Sequence, residues 1–79
     1  MEQTTLRGLR DRSGMTIQQI IDRMKQSGEA TPQFRPGLIH LEKRGTEKIG
    51  VIRALAYAYS VPFEEAERAA RNSRRVFQN

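Results

Sequence analysis

Thr16-Ile17-Gln18-Gln19-Ile20-Ile21-Asp22-Arg23-Met24-Lys25-Gln26-Ser27-Gly28 is the stretch from which the fold is read. Thr16 stands where a helix needs its N-cap, and Ile17, Ile20, Ile21 and Met24 then recur at helical spacing, leaving the other face polar. Gly28 supplies the stop. A helix with one apolar face must bury that face on neighbours, and the flanking segments read as further helices rather than strands.

Upstream, Leu6 and Leu9 followed by Ser13-Gly14 predict a short first helix over Thr5 to Arg12. Downstream, Gly28 to Gly37 (GEATPQFRPG) reads as a loop, because its glycines and prolines interrupt any long helix. Pro36 suits the start of a third helix, which Leu38 and Leu41 continue to Arg44 before Gly45 ends it. Thr46 is predicted to cap a fourth helix with Ile49, Ile52, Leu55, Ala56 and Tyr59 as its buried stripe, closed by Ser60-Val61-Pro62. A fifth begins at Pro62 or Phe63. Its apolar positions Phe63, Ala66, Ala69 and Ala70 are mostly small, which predicts weak packing or packing against a partner, with fraying from Asn72. The expected architecture is all-α: a single five-helix domain over 1–70 with a basic C-terminal tail over 71–79.

With 79 residues, 37% of them hydrophobic, the chain encloses one small core, which excludes a multidomain enzyme. No cysteine and one histidine leave no disulfide framework, thiolate site or histidine cluster, so no metal or cofactor is expected. Glu64, Glu65 and Glu67 lie at helical spacing from Arg68 and Arg71, where ion pairs on a solvated face account for them. The glycines are scattered singly, with none of the spacing of a phosphate loop. Catalysis is therefore not expected. No apolar run approaches the roughly 18 residues that cross a bilayer, and Met-Glu-Gln-Thr-Thr resembles neither a secretory leader nor a lipidation signal, so no membrane association and a cytoplasmic location are expected.

The net charge is +5, and its distribution is uneven. Residues 31–53 carry Arg35, Lys43, Arg44, Lys48 and Arg53 against Glu42 and Glu47, and residues 68–79 carry four arginines and no acid. Between them, 54–67 hold three glutamates and no base. Such a balance points to a polyanionic partner.

The order Leu6-Arg7-Gly8-Leu9-Arg10, Gly14-Met15-Thr16, Ile20-Ile21, Leu38-Ile39-His40-Leu41-Glu42, Gly45, Leu55-Ala56 and Val61-Pro62-Phe63-Glu64-Glu65 resembles the helix-turn-helix family of Cro and phage repressors, over about residues 5–66. The resemblance implies a lambda-repressor-like fold of five helices whose third enters the major groove of a double-stranded DNA operator. It assigns Leu6, Leu9, Ile20, Met24, Leu38, Leu41, Ile52 and Leu55 to the core, and Arg10 with Glu42 to a structural ion pair between helices one and three. It places Arg35, Pro36, Ile39 and His40 toward the base edges, Arg35 being suited to guanine through its two-pronged donation to O6 and N7. Lys43, Arg44 and Lys48 are cast as phosphate contacts, as are Thr16 and Gln18 at the start of helix two.

The pattern departs from the family at Ile17 and Ile21, where Gln and Ala are usual, and in a link from Met24 to Leu38 about seven residues longer than usual. That lengthened loop offers Gln33 and Arg35 to DNA, while Phe34 is expected to fill the gap between helices two and three. One reading helix touches few base pairs, so a homodimer on a two-fold operator is expected, with Val61, Phe63 and the fifth helix as its surface. The implied function is transcriptional regulation, as a repressor of a bacterium, phage or mobile element. The alternative is an antitoxin or anti-regulator holding a protein partner through the C-terminal segment, marked by an apolar patch of Phe63, Val76 and Phe77.

Overall fold

The first two helices begin at threonines that satisfy otherwise unpaired backbone donors. The computed structural model describes residues 4–29 and 34–78, the side chains of 77 and 78 excepted. α1 (Leu6–Ser13) is capped by Thr5, whose hydroxyl accepts a hydrogen bond from Gly8 N–H at 3.1 Å, and Gly14 ends it in the left-handed region. α2 (Ile17–Gln26) has a reciprocal capping box. Gln19 N–H donates to the Thr16 hydroxyl at 3.2 Å while Thr16 N–H donates to Gln19 Oε1 at 2.9 Å. α3 (Arg35–Arg44) starts one residue before Pro36, whose missing N–H lies in the first turn, where no intrahelical partner exists.

α4 (Ile49–Tyr59) corrects the expected cap. Thr46 accepts from Lys48 N–H at 3.1 Å and forms a turn ahead of the helix, so Lys48 is the capping residue and Ile49 the first helical one. A first-position side chain tilts back past the end of its own helix, and Ile49 is 60% exposed instead of joining the buried stripe. Ser60, the single non-glycine residue with positive φ among those described, closes α4. Pro62 C=O then accepts from Glu65 and Ala66 as α5 (Phe63–Gln78) begins, with Glu64 and Glu65 in the turn where the helix dipole favours acids.

The described residues form five α-helices and no strand, an all-α fold. α4 packs on α2 and α5, and α3 packs on α5 and α2. The core is Leu6, Leu9, Ile20, Ile21, Met24, Leu38, Ile52 and Leu55, lined by alanines of α4 and α5 and by Tyr59. Leu41, expected inside, is partly buried at its edge. Each fully buried Leu, Ile or Met contributes roughly 1.5–3 kcal/mol relative to exposure.

α5 departs most from expectation. Its small residues Ala66, Ala69 and Ala70 are fully buried because they let its backbone approach closely, so small size here marks tight rather than weak packing. The helix continues through the segment expected to fray, and the boundary set at residue 70 falls within it. Asn72 and Ser73 are both buried: Asn72 Nδ2 donates to Thr4 C=O at 2.8 Å, and Ser73 Oγ accepts from Leu6 N–H at 2.9 Å. Two polar residues that suggest a helix end instead satisfy backbone groups at the start of α1.

Among the described residues no helix is long and apolar enough to cross a membrane.

Candidate nucleic-acid interface

α3 has two sides of opposite character. Leu38 and Glu42 are buried and Leu41 is half-buried, while Arg35, Pro36, Ile39, His40, Lys43 and Arg44 are exposed. At helical spacing, Arg35, Ile39 and Lys43 form one outward row and Pro36, His40 and Arg44 the adjacent one. No described residue makes a hydrogen bond or ion pair with the Arg35 side chain.

Phe34 caps α3 with extended backbone and is 75% exposed. It therefore does not fill a gap between α2 and α3. The side chains that are fully buried on those two helices are Ile20, Ile21, Met24 and Leu38, all at 0% exposure.

The inner side of α3 is tied to α1 by charge. Arg10 Nε lies 2.8 Å from Glu42 Oε1 and donates a hydrogen bond to Oε2 at 3.0 Å. Burial raises the Glu42 pKa above the ordinary carboxylate value, and the Arg10 guanidinium opposes that rise without cancelling it. Tyr59 on α4 is affected likewise: burial first, and the nearby Glu42 charge second, push its hydroxyl pKa upward. Glu42 Oε1 and the Tyr59 hydroxyl are both buried without a hydrogen-bond partner among the described residues.

α2 is held by Arg23. Its Nε donates to Ala58 C=O at 2.8 Å, and one terminal nitrogen reaches Tyr57 C=O at 3.1 Å and the Ser60 hydroxyl at 2.9 Å. The guanidinium also lies 5.4 Å from the centre of the Tyr57 ring. A cation at the C-terminal end of α4 meets the negative end of its dipole. Sequence reading missed this anchor, because two of its three partners are backbone carbonyls that no residue pattern announces.

The other candidate residues fall as follows. Thr16 is exposed, with its hydroxyl committed to the cap. Gln18 is exposed and its amide donates to Asp22 Oδ1 at 3.0 Å. Lys48 is exposed at the start of α4, and Gln33 lies outside the described residues. A residue given no role from sequence, Arg7 on α1, joins the group. It lines a groove of about 440 Å³ between α1, the start of α2 and α3, together with Arg10, Ile17, Ile39, Glu42 and Lys43. Its signal was its position one helical turn before Arg10.

The apolar patch that would mark a protein partner is not assembled from its described members. Val76 is 57% exposed, but Phe63 is partly buried against the core, and the Phe77 side chain lies outside the described residues. Among the described residues no three metal-ligating side chains cluster. No family model, curated protein or solved structure matches the chain.

Proposed function

We propose that this chain binds duplex DNA sequence-specifically through the outer side of α3 and regulates transcription as a repressor. The observation that carries this reading is the exposed row Arg35, Ile39 and Lys43 beside Pro36, His40 and Arg44, on a helix whose other side is fixed by Leu38 and Glu42. A rigid helix with a free guanidinium at its first turn fits the width of a major groove and the two acceptors of guanine. Lys43, Arg44 and Lys48, with Arg7 on the flank, supply phosphate attraction that sets register without reading sequence.

The activity is occupancy of a site, and two copies achieve it. The chain presents one outward α3, whereas successive major grooves on one face of a duplex lie about 34–36 Å apart. One copy thus engages one half-site, and a homodimer on a two-fold operator engages both.

The test is a gel-shift titration against random duplexes followed by selection, then binding across a salt series for the selected and a scrambled duplex. Specific binding exceeds scrambled binding at every salt concentration if α3 reads bases. Equal affinities throughout mean phosphate attraction alone and defeat the proposal.

A further inference from the structure

Ile39 is half-exposed in the middle of a cationic surface, and it is not isolated. It lines the groove of about 440 Å³ with Ile17, which is itself packed against the core from the first position of α2. The remaining lining residues are Arg7, Arg10, Glu42 and Lys43, a set carrying a net charge of +2. Two aliphatic side chains within a positive surround ask for a ligand that combines anionic groups with a small apolar projection. On the major-groove side of a duplex, the 5-methyl group of thymine is that projection, and the phosphates beside it supply the charge.

We propose that Ile39, supported by Ile17, is a specificity-determining residue that seats a thymine methyl group. This rests on the DNA-binding reading above and narrows it. Ile39 follows Arg35 by one helical turn, a rise of about 6 Å, and stacked base pairs are about 3.4 Å apart. The thymine therefore falls within about two base pairs of the guanine that Arg35 reads, and each half-site contains that pair. Ile17 explains why the groove is apolar at a place where the related pattern carries a glutamine.

The experiment uses the full chain and the duplex recovered by selection, replacing each thymidine in turn with deoxyuridine, which removes the methyl group alone. One thymidine per half-site is expected to bind about fourfold more weakly when replaced, the effect of burying a single methyl-sized group. With Ile39→Ala, whose half-exposed side chain leaves the core intact, the same replacement is expected to change nothing. Uniform tolerance of deoxyuridine by the unsubstituted protein overturns the proposal without disturbing the DNA-binding reading, and so does a methyl effect that persists in Ile39→Ala. Failure to select any duplex removes both.

Discussion

Ser73 Oγ accepts the N–H of Leu6 at 2.9 Å, joining the last third of α5 to the first residue of α1 across 67 positions of chain. Leu6 N–H has no partner within its own helix, and both residues are buried. Removing the hydroxyl leaves that donor without water or acceptor. Ser73→Ala is expected to lower the unfolding free energy by about 1–3 kcal/mol, read from the midpoint of urea denaturation at unchanged slope. An unshifted midpoint would show that the contact contributes nothing.

Gly45 tolerates no side chain, for two independent reasons. Its φ of 73° and ψ of −171° lie in a region essentially reserved for glycine, and a Cβ built there falls 2.2 Å from Ala70 C=O. The obstacle is backbone of α5 and cannot rotate aside. Gly45→Ala is expected to destabilise by about 2–4 kcal/mol, seen as a lowered Tm. Gly14→Ala, which has positive φ but open space around its Cβ, is expected to lower Tm less. Equal shifts for the two would mean that the close approach of α3 to α5 is not maintained in solution.

Glu42 gives the fold a pH dependence of unusual sign for a carboxylate beside an arginine. Burial outweighs the pull of Arg10, so the folded pKa lies above the ordinary value of 4.5. The folded chain then binds this proton more tightly than the unfolded chain. The corresponding stability is fully present below pH 4.5 and is lost as pH rises through the folded value. Relative to Glu42→Gln, which does not titrate, the unsubstituted protein is expected to gain stability between pH 7 and pH 5 in paired urea titrations. A relative loss over that interval would mean that the ion pair dominates burial. Glu42→Ala is expected to cost about 3 kcal/mol at neutral pH, near the lower end for a broken buried pair, because the Arg10 side chain retains 21% exposure.

Arg23 holds α2 against the end of α4 with three hydrogen bonds from one planar group. Lysine has the charge but not the fork, so Arg23→Lys is expected to recover little of what Arg23→Ala loses, about 1–2 kcal/mol in each case. Thermal melts of the two variants provide the comparison. Full recovery by lysine would assign the anchor to charge at the helix terminus rather than to directed bonds.

Local chemistry was legible in the chain, and contacts between distant segments were not. The Thr16 cap, the terminations at Gly14, Gly28 and Gly45, the Pro36 start and the Leu38 interior each follow from groups within a few residues of one another, and the five helices follow from them. The same residues determine that Arg35, Ile39 and His40 point outward, since Leu38 and Glu42 take the other side. Phe34 was misjudged because its burial depended on side chains elsewhere in the chain: Ile20, Ile21, Met24 and Leu38 are fully buried without it. Ile49 was misjudged because a shift of the cap by two residues moved it to the rim. Asn72, Ser73 and Arg23 bond to backbone atoms 34 to 68 positions away, and backbone atoms carry no residue identity to read.

Under the proposed DNA-binding reading, substitutions at Arg35 and Lys48 distinguish base reading from phosphate attraction, because the two residues lie on different elements and both are exposed. If Arg35 forks onto guanine, Arg35→Ala weakens binding to the selected duplex by about 1–3 kcal/mol and barely alters binding to a scrambled one. The salt slope then stays nearly constant, since no counterion is released at a base edge. Lys48→Ala is expected to weaken both duplexes to a similar degree and to reduce the salt slope by about 1, the signature of one lost phosphate contact. Titrations of the two variants at several salt concentrations give both quantities. Loss of slope on removing Arg35, with sequence preference retained, would move Arg35 onto the phosphate backbone and leave base reading to Ile39 and His40.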